Sequence, residues 1–583
     1  MMKYLTMFLC VFISTIKAQT TQAQSYTKVD LMKLYAQEFG FLTYYTSAAS
    51  ENEGLWFDFF TQSLKELDVT DNPKKYKELS DKLLSRVKFP DNKFNPDWQV
   101  LKTDTLLNPN LYSWMNDSLF DDVVKLKFSI VKQNPVITPS RFRPYRFTGI
   151  DFSDTAIFNS NIRKTFNVKN EYEALAAFVI YWNAANYYGA YPIGHKYQWS
   201  NILNEFIPQF LALKKYRGYE LFVNYRNLMQ QVVARSEDAH SLVFLRIEGV
   251  QNYIRVEYID SVCYVIKIHP KLSELYPIQA GDIIIEKDGV PMSAIYEELK
   301  KYFRVSDPLY TDYKVLQYLL TLSHSNTHLK IQKPDKKIYE ADVRSADIQS
   351  LKEMDTLVEY KSWQPPKGTY SNHADTVFND SIGYINVGMK NDKSLIKKLK
   401  EFSAKKCLIL DFRNYPSNAN FAFTTSEKNC FYSYNSSIPD KSTKSFIDKT
   451  PGHFQKETKF APRPLDMPGL IKWEHYGRNK KVYLLCNEFT ISKAEWLLMF
   501  YYAVTKGTVV GRNTAGVPSS VGIIYLPGKI CTMITIGEGH DYKKRLISGS
   551  GFEPDVYVKK DITSIIEGED YILNKTLELI YNK

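Results

Sequence analysis

A serine set where a strand turns into a helix is the residue of this chain best placed to attack a carbonyl. Lys481-Val482-Tyr483-Leu484-Leu485-Cys486 reads as a buried strand, a tight turn follows, and Ser492 falls in the first turn of the next helix. Free backbone N–H groups and the positive end of the helix dipole can stabilise an oxyanion at such a place. The same residues also spell a capping box, Ser492-Lys493-Ala494-Glu495, in which the serine takes a backbone N–H and the glutamate reaches back. Taken alone, the stretch leaves both readings open. Other chemistry-bearing patterns are missing: there is no His-Glu-Xaa-Xaa-His, no Cys-Xaa-Xaa-Cys and no phosphate-cradling glycine loop, and the nine histidines are dispersed. His324 and His328 stand four apart without nearby carboxylates, so neither a metal nor another cofactor is expected.

The elements that must position Ser492 run from about residue 380 to the end. A strand (382–387), a helix (394–402), a strand (407–412), a polar insertion to about 478, a strand (482–486), a helix (493–506) and a strand (508–510) alternate as in an α/β layered domain. The strands are continuous apolar runs, as expected of a sheet covered on both faces. Earlier, Ala174, Leu175, Phe178, Val179 and Trp182 recur at helical spacing within 172–235. Between about 241 and 345 the pattern shifts toward strands, at 241–244, 262–268 and 283–285, with a turn at Asp288-Gly289.

A chain of 583 residues with 44% hydrophobic content is too long for one core and too apolar to be disordered, so several domains are expected. The net charge of +11 is spread over short groups such as Lys543-Lys544-Arg545, which argues for solvated faces and against nucleic acid as a partner. Residues 1–18 have the layout of a secretory signal peptide: Lys3, an apolar run from Leu5 to Ile16, then Ala18 at the cut. The run is too short to span a bilayer, so an exported protein, periplasmic or extracellular, without an integral membrane segment is expected. The five cysteines beyond residue 18 are far apart and form no disulfide framework; Cys407 and Cys486 read as small buried hydrophobes.

Residues 278–291, Ile-Gln-Ala-Gly-Asp-Ile-Ile-Ile-Glu-Lys-Asp-Gly-Val-Pro, resemble the signature of a PDZ domain, which holds an extended peptide as an added strand beside a helix. From 481 to 496 the chain resembles the tail-specific, or C-terminal-processing, serine peptidases, which carry Asn-Glu-Gly-Ser-Ala-Ser-Ala-Ser-Glu after a strand. Ser492 has the nucleophile's place relative to Glu495. Leu408-Ile409-Leu410-Asp411-Phe412-Arg413-Asn414 is similar to the family's Leu-Asp-Leu-Arg-Asn. Two further segments, 509–516 and 551–556, are similar to its Val-Val-Gly-Glu-Xaa-Thr-Xaa-Gly and Gly-Ile-Xaa-Pro-Asp-Ile.

The resemblance implies a Ser-Lys dyad in the bacterial processing enzymes, but the lysine's position here is Val517, which cannot take a proton. A tricorn-like branch instead carries a histidine just ahead of its PDZ domain, and Glu237-Asp238-Ala239-His240 is similar to that motif. The implied base is therefore His240. The branch's third member, a Glu before the last motif, corresponds to Ser548, with Asp238 as a local alternative. The implied oxyanion donors are the amide of Lys493 and an amide from Ser417 or Asn418, which replace the family's Gly-Gly. The expected whole is a multidomain α/β protein: a region of unassigned role (19–150), a helical module (151–239), a PDZ-like domain (240–350) and a crotonase/ClpP-like peptidase core (351–583) acting on protein or peptide. Alternatives are an inactive relative that binds peptide or envelope protein and, more distantly, a binder of small apolar ligands.

Overall fold

The computed structural model describes residues 25–89, 110–136, 142–146, 168–190, 199–241, 253–320, 326–344, 373–416, 421–426, 430–435 and 470–582, with short pieces at 105–106, 243, 347, 418, 451, 453–454 and 458–460. The signal-peptide reading, Ser417, and residues 242 and 244 of the strand expected at 241–244 lie outside them.

Helices α1 (Lys28–Tyr45), α2 (Glu171–Tyr188), α3 (Trp199–Leu211) and α4 (Gly218–Ala234) form the first layer. Asn170 caps α2 by accepting from the Tyr172 and Glu173 amides. Every residue of α2 from Ala174 to Tyr188 is buried, which a helix apolar on all faces requires. Gly40 lets α1 and α2 touch: a Cβ there would fall 1.9 Å from Asn183 Oδ1. Residues from Leu31 onward share one core with the later helices, a continuity that a boundary at 150 does not express.

An antiparallel sheet follows, in the order β1 (Ile254–Ile259), β2 (Val262–Ile268), β3 (Ile283–Lys287), β4 (Thr327–Gln332), β5 (Ile338–Val343). Helices α5 (Met292–Phe303) and α6 (Pro308–Leu319) pack on it through Tyr296, Val315 and Leu319.

The last layer is a six-stranded sheet. Its strands are β6 (Thr376–Phe378), β7 (Ile382–Asn386), β8 (Cys407–Asp411), β9 (Lys481–Cys486), β10 (Thr508–Gly511) and β14 (Val556–Tyr557), in the spatial order β14-β10-β9-β8-β7-β6. All pairs are parallel except β7 with β6. β7 and β8 are buried along their whole length, and the crossover helices α7 (Asp392–Glu401) and α8 (Lys493–Thr505) cover one face while α9 (Tyr571–Tyr581) covers the other. This is the layered α/β arrangement that the alternating apolar runs predict.

Between β10 and β14 the chain leaves the sheet as a hairpin, β11 (Val521–Leu526) and β12 (Ile530–Thr535), followed by β13 (Gly537–Asp541). The hairpin buries Ile524, Leu526, Ile530 and Ile534 in the helical core, and Tyr225 of α4 donates to the Pro527 carbonyl at 2.7 Å. The end of β12 is thus held against the end of α4.

Candidate active site

Three tied segments build the site. The turn after β9 is closed by side chains: Asn487 Oδ1 accepts from the Phe489 amide at 3.0 Å, Thr490 Oγ1 accepts from the Asn487 amide at 3.1 Å and donates to the Phe412 carbonyl at 3.2 Å. Glu488, buried in the same turn, pairs with both Arg512 Nε (2.8 Å) and Arg512 Nη2 (3.1 Å). Ser492 emerges from this turn with φ 56° and ψ −114°, a backbone conformation that costs a non-glycine residue about 1–3 kcal/mol. Such strain persists only where the surroundings enforce it, and here they do.

Glu495 enforces it. Its carboxylate is fully buried, and Oε2 accepts from the amides of Ser492 (3.0 Å) and Val517 (2.9 Å) while Oε1 accepts from the Gly516 amide (2.7 Å) and Thr514 Oγ1 (2.5 Å). Ser492 and Glu495 do form the capping box that their spacing suggests, but the glutamate also welds the serine turn to the 514–517 turn. Gly516 has φ +78°, and a Cβ there would meet the Gly551 amide at 2.9 Å, so this turn needs glycine. Burial pushes the Glu495 carboxyl up to about 7, against four donors that favour its charged form.

Val517 stands where the resemblance would put a lysine, and it is wholly buried in an apolar cluster with Ala239, Val305 and Ala515, against which Ile491 packs. That cluster joins the two candidate catalytic residues through their neighbours, Ala239 beside His240 and Ile491 beside Ser492.

His240 follows α4 and is held by the hairpin. Its Nδ1 lies 3.0 Å from Thr535 Oγ1, which donates to Asp238 Oδ1 at 2.7 Å. Asp238, 2% exposed, also accepts from the His240 amide (2.9 Å) and the Thr535 amide (2.7 Å), while the Ser241 hydroxyl stands between its Oδ2 (2.9 Å) and the Met533 carbonyl (2.6 Å) with one proton for the two. A hydroxyl has one proton. Thr535 gives its proton to the carboxylate, so toward the ring it can only accept, which places the imidazole proton on Nδ1 and leaves Nε2 with its lone pair. Burial lowers the His240 pKa, Asp238 works against that, and the Lys314 ammonium adds to it. Lys314 Nζ donates to the Ala239 carbonyl at 3.1 Å and is itself pushed down by burial to about 8.

The hydroxyl at the ring is therefore that of Thr535 and not that of Ser548, whose Oγ accepts from the Gly539 amide at 2.9 Å and fixes β13. Asp238, the local alternative, reaches the ring through Thr535 because its own oxygens turn to backbone and hydroxyl donors. Among the oxyanion candidates, the Lys493 amide sits at the start of α8 and donates to the Tyr415 hydroxyl, which also hydrogen-bonds to the Ser492 side chain. Asn418 forms a parallel bridge with Asn391. Ser492 and His240 are not hydrogen-bonded to each other. Thr535 lies 295 residues from His240 and no local pattern marks it; Tyr415 directly follows the Asp-Phe-Arg-Asn run, at a position the motif leaves open.

That loop is rigidly based. Arg413 makes bidentate contacts to Asp411 (3.0 and 2.6 Å) and Asp570 (2.7 and 2.7 Å), tying the end of β8 to the cap of α9. A Cβ on Gly388 would come within 2.3 Å of the Asn414 carbonyl oxygen, so the loop rests directly on the turn after β7.

A strained serine at a helix N-terminus and a histidine held by a hydroxyl and a carboxylate, linked through the cluster of their neighbours Ile491 and Ala239, are the residue types that serine-type acyl transfer employs. Residues 381–558 match the model of Peptidase family S41, so the chain carries an S41 peptidase domain, with Ser492 inside it and His240 outside it. Among solved structures, mature CPAF complexed with lactacystin is 15% identical with a TM-score of 0.51, the match covering 70% of this chain and 98% of that one. A mutant form of CPAF is 13% identical with a TM-score of 0.50, covering 69% and 96%. At these identities the likeness is one of fold. The photosystem II D1 C-terminal processing protease matches over 68% of this chain at a TM-score of 0.33, too low to argue from. No curated protein matches the chain. Among the described residues no helix is long and apolar enough to cross a membrane.

Proposed function

We propose that this protein is an exported serine endopeptidase of the histidine-using, tricorn-like kind. The observation that carries the reading is the His240–Thr535–Asp238 chain, which sets the imidazole in the tautomer a general base needs. In the proposed reaction, His240 Nε2 takes the Ser492 proton as Oγ attacks a peptide carbonyl. The Asp238 carboxylate, acting through Thr535, stabilises the imidazolium that results. The Lys493 amide receives the developing oxyanion at the N-terminus of α8. His240 then returns the proton to the leaving amine, an acyl-enzyme forms on Ser492, and water activated by the same base releases it. The antiparallel sheet with α5 supports a PDZ-like role in which an extended peptide is held and delivered to the site.

The hydrogen bond of the Ser492 side chain to Tyr415, in place of one to His240, favours a second reading, a non-catalytic relative that binds peptide. Labelling by a fluorophosphonate probe separates the two. Wild-type protein labels and both Ser492→Ala and His240→Ala do not, if the enzyme reading holds; folded wild type that fails to label leaves the binding reading.

A further inference from the structure

The proposed reaction needs a second oxyanion donor, since one amide leaves half of the developing charge unmet. The resemblance puts that donor in the 417–418 turn, where two glycines are replaced by Ser417 and Asn418, and the backbone at Asn418 is engaged with Asn391 in a parallel bridge. Next to the nucleophile stands a different group. The Tyr415 hydroxyl hydrogen-bonds to the Ser492 side chain and accepts from the Lys493 amide, so its oxygen holds the amide that a substrate's carbonyl oxygen would use.

We infer that Tyr415 is a catalytic residue whose phenol O–H is the second oxyanion donor. This rests on the serine peptidase reading above. A substrate carbonyl oxygen that takes the Lys493 amide displaces the tyrosine oxygen by about one hydrogen-bond length, roughly 2.7–3.1 Å. From there the phenol donates its proton's hydrogen bond to the oxyanion; no bond to hydrogen breaks and no charge moves onto the tyrosine. The side chain has the freedom this requires, being 39% exposed. Its backbone has not: Arg413 and the Asn414 contact with Gly388 fix the base of the loop, so the ring turns about a fixed pivot. A phenol is protonated throughout the neutral range, so the donor keeps its hydrogen.

The test is steady-state hydrolysis of a fluorogenic peptide by wild type, Tyr415→Phe and Ser492→Ala, with fluorophosphonate labelling rates beside it. Removing one oxyanion donor is expected to lower kcat roughly 100- to 1,000-fold and slow labelling comparably, with KM within about threefold. Phenylalanine keeps the ring, so the loop retains its packing. A kcat unchanged or raised in Tyr415→Phe overturns the inference and makes the tyrosine a plug in the hole; a raised KM at constant kcat overturns it too, in favour of plain substrate binding. Either result leaves the serine peptidase reading standing, because that reading fails only if wild type lacks Ser492-dependent labelling, an outcome that removes both.

Discussion

Replacing Thr535 by valine removes one oxygen from the centre of the proposed catalytic chain while keeping the side chain's shape. Thr535 is wholly buried, so no water is at hand to replace the hydroxyl. His240 Nδ1 loses its partner at 3.0 Å and Asp238 Oδ1 loses its donor at 2.7 Å, keeping the His240 amide at 2.9 Å. Asp238 Oδ2 retains the Thr535 amide, so the carboxylate stays in place. The loss falls on the imidazolium formed during attack, whose hydrogen bond to a chain ending in a carboxylate is of the charged kind, about 1.5–3 kcal/mol. At 1.36 kcal/mol per factor of ten, kcat/KM should fall roughly 10- to 150-fold. The assay is hydrolysis of a fluorogenic peptide, with near-ultraviolet circular dichroism confirming the fold and Ser548→Ala as the contrast. Ser548 holds only the Gly539 amide, so its loss should disturb β13 more than the rate. A Thr535→Val enzyme within twofold of wild type, or a larger rate loss in Ser548→Ala, would refute the relay.

Two more outcomes follow from the same geometry. His240 must be neutral to accept a proton, and burial lowers its pKa, so activity is present above that value and lost as pH falls through it; the acid limb of kcat/KM should have its midpoint below the ordinary 6.5, and a midpoint above it contradicts the burial argument. Glu495→Gln puts an NH₂ group against two of the four donors now facing the carboxylate, leaving two buried donors unmet at about 1–3 kcal/mol each. Urea unfolding should register a loss of about 2–6 kcal/mol, together with lost probe labelling, and an unchanged midpoint would show that Glu495 does not hold the serine turn.

Much of the site's frame is legible in local sequence. The apolar runs at 382–386, 407–411 and 481–486 can satisfy their backbone groups and bury both faces only as inner strands, and each does so in the structure. The serine turn is local only in part: Asn487, Thr490 and Glu495 each bind a backbone group within three residues, but Thr490 also reaches Phe412 and Glu495 reaches 514–517. Where the reading of the chain departs from the structure, the partner is distant. Position in a motif points to Ser548 as the orienting hydroxyl, yet Thr535 reaches the ring, because the β11–β12 hairpin buries its isoleucines in the helical core and so delivers its last residue to the end of α4.

The amino-acid sequence by itself therefore determined the α/β alternation, the serine at a helix start and the absence of a lysine at position 517, since each depends on the pattern of residue types over a short stretch or on a residue's chemistry alone. Only the tertiary structure decided which groups face that serine and histidine. The proton on His240 Nδ1 depends on a hydroxyl almost three hundred residues away, and the phenol beside Ser492 on how a loop anchored by Arg413 turns Tyr415. Spacing along a chain carries no information about such pairs until packing brings them to hydrogen-bonding distance.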